Sequence, residues 1–462
     1  MNERPTLPVL TCDSLVFDKQ RSLHGWQRQV LRILFLLCIL GVFTGSGSAV
    51  GAELKKSPEK PPPQKQEEDE ATSVTGEPQT SEPAPDFDPA TSKRKLGLGG
   101  ALRFNYTLKT WDTVNQSRGG EFLFDTFRLN TELRYDRLIA AAEYRLYGSF
   151  GNYLKLGWMG IQFNENLNVK VGVTLVPFGL LPYASHSWFF NLGYYSGFED
   201  DRDMGVAFHW TPENFDIRFG YFHSDEGNYQ GRSLDSARYS YDLSKVPEIV
   251  DANGIVIQEA SSLKEQHAGA LRISQTLSTE TASLLYGASG QFGGIYDEAS
   301  QRYGTRWASS IFLRGRIQNL ELLLEGARIE RSPPSGTGPD QGIWMGAYDS
   351  AYRVARDFWL LESGLAYTYA LNLGLIESIQ IYDDFGVMLK DEGATTFQNV
   401  FGALLSAKYI YTYCDFAAGK NQPWIGGDWE NGLAEGDPNA TWEMRFNINL
   451  GLYYTAWLPL GH

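Results

Sequence analysis

The sequence predicts an all-β protein: a transmembrane antiparallel β-barrel of sixteen strands, with short turns at one end and long loops at the other. Three observations carry this. Apolar and polar residues alternate over runs of about eight to ten residues, repeatedly, between Leu96 and Leu458. Those runs are joined by tight polar turns on one side and long irregular segments on the other. The composition is rich in glycine (48 residues) and in aromatics (14%). A mean hydropathy of -0.31 excludes a bundle of membrane helices. It is natural for a barrel, in which every second residue faces water.

Taken in order, the chain opens on an export signal over residues 1–52. Arg28 and Arg32 precede the uncharged run Ile33 to Phe43, and Val50-Gly51-Ala52 supplies small residues for cleavage. The run is too short to span a bilayer. Residues 53–95 read as a disordered periplasmic linker rich in Pro, Glu and Lys, with too little apolar surface to offset the entropy of ordering. Contact between this linker and the cell wall is a further expectation. Residues 96–462 form the barrel domain.

Leu96, Leu98, Leu102, Phe104 and Tyr106 alternate with Gly97, Gly99, Ala101, Arg103 and Asn105, and the same beat returns at 127–135, 167–175, 215–221 and 442–452. Further strands are expected at 282–292, at 376–384 and as a pair within 398–418. Asp136-Arg137, Asn164 to Asn166, Pro212 to Asn214 and Gln318-Asn319 are tight turns, whereas 108–121, 177–202, 224–264, 330–357 and 419–440 are long loops. A pair of secreted β-sandwiches is the competing architecture. Its strands are shorter, and its core has no room for so many Tyr, Phe and Trp, which suit a lipid-facing band.

A net charge of -15 leaves no electrostatic footprint for nucleic acid. Of Cys12, Cys38 and Cys414 only the last follows the export signal, so no disulfide frame and no cysteine-based zinc site is expected. Cys414 is out of phase with Tyr409, Tyr411 and Tyr413, which places it toward the lumen or on a covered patch. The alternation also assigns a pore-lining set: Arg103, Arg128, Arg134, Lys170, Arg218, Arg272, Arg314 and Arg445, with Glu132, Glu143, Asp216, Glu325 and Glu443. Charged rings across a narrow lumen set a field that biases ion choice.

Four stretches carry a resemblance. "VKVGVTLVPFGL" (169–180), "DDRDMGVAFHW" (200–210), "ESIQIYDDFGVML" (377–389) and "GKNQPW" (419–424) resemble the phosphate-selective porin O and P family. The resemblance implies a sixteen-stranded outer-membrane channel, a homotrimer, whose third external loop folds inward to narrow the pore. Here that loop is 177–202. Pro177 cannot donate to the strand ladder and Gly179 permits a sharp turn, so the two lead into it. Its constriction residues would be Tyr183, His186, Trp188, Tyr194 and Arg202. Anion preference in that family is attributed to wall arginines and constriction lysines, and this loop contains no lysine.

Two other chemistries were weighed on the same loop. His186 between Ser185 and Ser187, with Asp203 downstream, suggests a hydrolase, but no G-x-S-x-G elbow is present. Glu199, Asp200, Asp201 and Asp203 are hard oxygen donors of the kind calcium takes, yet they lack EF-hand spacing and read as a solvated acidic run. The expectation is therefore no catalysis, no metal and no cofactor. It is passive diffusion of small hydrophilic solutes or ions, phosphate among them, through a barrel in contact with outer-membrane lipids. A structural or adhesive barrel that binds a surface partner through its long loops is the alternative.

Overall fold

The computed structural model describes residues 94–149, 151–227, 236–336 and 342–460. The export segment 1–52 lies outside the described residues, as does the linker apart from Arg94 and Lys95. Sixteen strands form one closed antiparallel barrel. In chain order they are β1 (Lys95–Lys109), β2 (Glu121–Tyr135), β3 (Leu138–Tyr147), β4 (Asn152–Asn164), β5 (Leu167–Leu175), β6 (Arg202–Trp210), β7 (Phe215–Asp225) and β8 (Leu263–Ser278). Then come β9 (Ala282–Asp297), β10 (Arg302–Ile317), β11 (Leu320–Ser332), β12 (Phe358–Leu373), β13 (Ile376–Lys390), β14 (Thr396–Ala407), β15 (Ile410–Lys420) and β16 (Glu443–Pro459). The first strand thus begins one residue earlier than the alternation suggested.

Each strand pairs with its sequence neighbour, and β1 closes the ring on β16 from Lys95 opposite Pro459 to Lys109 opposite Arg445. Closure removes sheet edges, so every wall strand finds its hydrogen-bond partners within the wall. The two faces then divide as period two demands. Met159, Phe219, Phe292 and Ile311 are exposed on the outside, Ile311 at 71%. Such side chains recur on strand after strand around the barrel, making an apolar surface far larger than a water-soluble monomer carries. A hydrocarbon layer is the solvent that suits it. Among the described residues no helix is long and apolar enough to cross a membrane.

The stretch 167–175 is β5, as its alternation predicts. Val169 and Val171 stand opposite Phe208 and Val206 on the outer face, whereas Asn168, Lys170 and Thr174 take the other phase. Gly172 shares that inner phase. It sits at φ +129°, and a Cβ there would collide with the Gly157 carbonyl. Only glycine fits this part of the wall.

One assignment is reversed. Tyr411 and Tyr413 on β15 lie on the inner face: Tyr413 is fully buried, 5.4 Å from the Trp188 ring, and Asp415 in the same phase bonds the Tyr382 hydroxyl. Cys414 therefore shares the outer phase with Phe416, which is exposed. Aromatic side chains mark a face, but do not say which one.

Replacing Gly172 with Val should cost about 1–3 kcal/mol in backbone strain, with the carbonyl collision added. Gly269 on β8 has open space around a Cβ, and its replacement by Val should be tolerated. Urea unfolding of the detergent-refolded barrels checks both, and equal midpoints would contradict the assignment.

Candidate functional site

Residues 177–202 leave β5 and return as β6 after passing through the interior. The turn is made at Gly179 (φ +57°), where a Cβ would occupy the space of the Glu325 carboxylate. Pro177 and Gly179 thus stand where the sequence placed them, at the head of an inward loop. From Phe178 to Asp201 nearly every loop residue is buried.

The wall holds this loop by its backbone. The Gly179 N–H donates to Ser289 Oγ (2.9 Å), while its carbonyl accepts from Arg272 Nε (2.7 Å). The Leu180 N–H donates to Glu325 Oε2 (2.8 Å). Arg314 donates to the Leu181 and Tyr183 carbonyls (3.0 and 3.2 Å). The His186 and Ser187 N–H groups both donate to Asp384 Oδ2 (2.7 Å each), and His186 Nδ1 lies 2.7 Å from Asp384 Oδ1. Gln398 Nε2 donates to the Phe190 carbonyl (2.8 Å), and the Gly193 N–H to Glu362 Oε1 (2.7 Å). Irregular backbone inside a barrel must find such partners, because a buried unpaired amide costs about 1–3 kcal/mol.

At its tip the loop reaches the opposite sector. Trp188 lies under the Arg103 guanidinium (5.0 Å) and Phe189 under that of Arg445 (5.0 Å). Tyr194 stacks on Phe190 and its hydroxyl meets that of Tyr348, and Tyr183 packs on Phe190. This aromatic mass continues into Tyr239, Tyr241, Tyr352 and Trp424 from the other long loops, closing one end of the interior around a shared core. Arg202 is tied to Asp200 Oδ1 (2.7 Å) at the loop's exit.

Most charges assigned to the lumen are paired. Arg103 binds Asp125 (3.1 Å), and Glu143 takes Arg145 (2.6 Å) with Arg128 at 3.9 Å. Asp216 collects Arg218, Arg272 and His209 (2.9, 3.2 and 2.9 Å). Arg314 meets Glu321 (3.3 Å), and Arg445 donates to Thr107 Oγ1 (3.1 Å). Lys170 lies over Trp158 and Arg134 over Trp457. Glu132, on the same face of β2 as Arg134, is exposed at the short-turn end. The alternation had placed Glu325 on the inner face, but the sequence missed the other two carboxylates that seat the loop, Glu362 and Asp384. Asp384 lies 198 residues from His186, and only its inward phase on β13 could have flagged it.

The hydrolase reading finds no geometry. The partner of His186 is Asp384, not Asp203, and His186 Nε2 has no hydrogen-bond partner, so neither Ser185 nor Ser187 is activated by it. The acidic run is not solvated either. Glu199, Asp200, Asp201 and Asp203 are all buried, Asp201 and Asp203 to 2% and 1% exposure. Burial pushes Glu199, which lies on the loop and not on a wall strand, up to about 8, with the Ala184 N–H pulling the other way.

No protein-family model and no curated protein matches the chain. Solved structures do. An anion-selective porin from Comamonas acidovorans superposes with a TM-score of 0.50 at 13% identity, covering 78% of this chain and 100% of the porin. OprB of Pseudomonas putida gives 0.50 at 9% identity, covering 79% and 95%. The chain has the sixteen-stranded fold of these outer-membrane porins.

Two outcomes test the loop's seating. Asp384→Ala strands two buried amides, so chymotrypsin should cleave the native barrel at Trp188–Phe190 at least about tenfold faster; unchanged cleavage would show that Asp384 does not hold the loop. Glu199 remains protonated in the fold but ionises near 4.5 when unfolded. Its contribution to stability is complete below that pH and is lost as pH rises through about 8. The urea midpoint should fall across this window and fall less in Glu199→Gln. Parallel profiles would contradict the assignment.

Proposed function

We propose that the protein is an outer-membrane porin that lets small hydrophilic solutes and ions diffuse passively through its barrel. The observation that carries this reading is a closed barrel, apolar outside and charged inside, with a long loop folded into its interior. A wall alone needs no internal loop; a filter does. Catalysis has no part in this reading.

The pairing pattern sets the selectivity. Arginines of β1 and β16 face the loop tip, while the loop leans on carboxylates of β11, β12 and β13. Asp125, Glu143 and Asp216 answer the arginines, and loop amides answer the carboxylates. A filter balanced in this way discriminates weakly by charge and strongly by size. Phosphate selectivity, the finer form of the family resemblance, would rest on the wall arginines alone, since the loop has no lysine. We further propose a homotrimer in outer-membrane lipid; mass measurement in detergent tests this, and a monomer would remove it. Cell-wall contact by the linker falls outside the described residues.

A second reading keeps one observation on its side. The long-loop end is filled by a tyrosine-rich core, as a plugged adhesive barrel would require. Conductance in planar bilayers separates the two. A porin gives stepwise openings, and Lys170→Glu with Arg218→Glu shifts the reversal potential toward cations under a salt gradient. No openings from correctly folded protein would favour the plugged barrel.

A further inference from the structure

At the loop's exit, three buried carboxylates from two chain segments converge. Asp201 ends the inward loop, Asp203 opens β6, and Asp242 comes from the long loop between β7 and β8. One carboxylate oxygen from each lies within 4.8 Å of the others, and each residue is at most 2% exposed. An acidic cluster alone is no site, since buried carboxyls are often answered by hydrogen bonds or cations.

Here the answer is missing where it matters. The neighbour Asp200 is saturated: Lys155 at 2.8 Å, Arg202 at 2.7 Å, and the hydroxyls of Tyr239 at 2.6 Å and Tyr183 at 3.2 Å. By contrast Asp201 Oδ1, Asp203 Oδ1 and Asp242 Oδ2 are buried without a hydrogen-bond partner. The cations nearby are shared with other carboxylates. Arg306 is joined to Glu265, and Arg238 to Asp225, reaching Asp242 only at 3.7 Å. Clustered buried carboxylates with so few partners are costly unless protons or a cation offset their charge.

We propose that Asp201, Asp203 and Asp242 form a binding site for one calcium ion. The donors are hard oxygens on two chain segments, and calcium accepts such irregular sets, completing its six to eight ligands with water or carbonyl oxygens. Magnesium demands tighter octahedral geometry and sheds water reluctantly, so it should bind more weakly. The ion would tie the exit of the inward loop to the long loop that covers it, whether or not the barrel conducts.

The test uses the full-length barrel refolded in detergent and stripped with EDTA. Calorimetric titration with calcium should show one ion per chain, and calcium should raise the melting temperature more than magnesium does. The double variant Asp201→Asn with Asp203→Asn should lose both effects. Asp251→Asn, at an exposed hairpin, should retain them. If the double variant does not fold, Asp242→Asn and terbium luminescence on the wild-type chain ask the same question. Absence of calcium binding to the wild type would overturn the proposal. So would binding that survives in Asp242→Asn, or carboxyl-to-amide variants that melt higher than wild type with and without calcium.

Discussion

A strand wall satisfies its own backbone, but a loop drawn into the interior of a barrel does not. Each of its amides leaves bulk water, and each must be met by something projecting from the wall. This constraint organises the whole interior. Glu325, Glu362 and Asp384 project from β11, β12 and β13 to accept amides of the loop, and Arg272 and Arg314 donate to its carbonyls. Breaking one such partnership leaves a buried group unpaired, which costs more than forming the pair gains. The loop is consequently a part of the wall and not an appendage.

What remains of the interior follows from that seating. Wall charges engaged with the loop, or with one another, leave little unbalanced field in the interior. The neutralised pairs Arg103–Asp125 and Arg145–Glu143 sit across from amide-capped carboxylates. The aromatic mass around Trp188, Phe190 and Tyr194 fills the space beside these pairs. The acidic exit at Asp201 and Asp203 departs from this balance, with buried carboxylate oxygens that no hydrogen bond answers.

Much of the architecture was legible because period two writes itself directly into sequence. The alternation at 167–175 gave both the strand and its two faces, and Pro177 with Gly179 marked where the ladder ends. The long gaps between runs revealed which end carries the loops. Reading failed where a pattern fixes a difference but not its sign: Tyr411 and Tyr413 alternate correctly yet point inward, because their partner Trp188 comes from a loop more than two hundred residues earlier. Asp384 and Glu362 were invisible for the same reason, as their value lies in what docks against them. The run Glu199 to Asp203 looked solvated because charge runs usually are, and nothing local says that other loops fold over it.

The central claim, that the loop is seated through its backbone, is open to hydrogen exchange on the native barrel. The amides of Leu180, His186, Ser187 and Gly193 should exchange as slowly as those of the adjoining wall strands. Exchange as fast as that of the exposed hairpin around Asp251 would contradict the account.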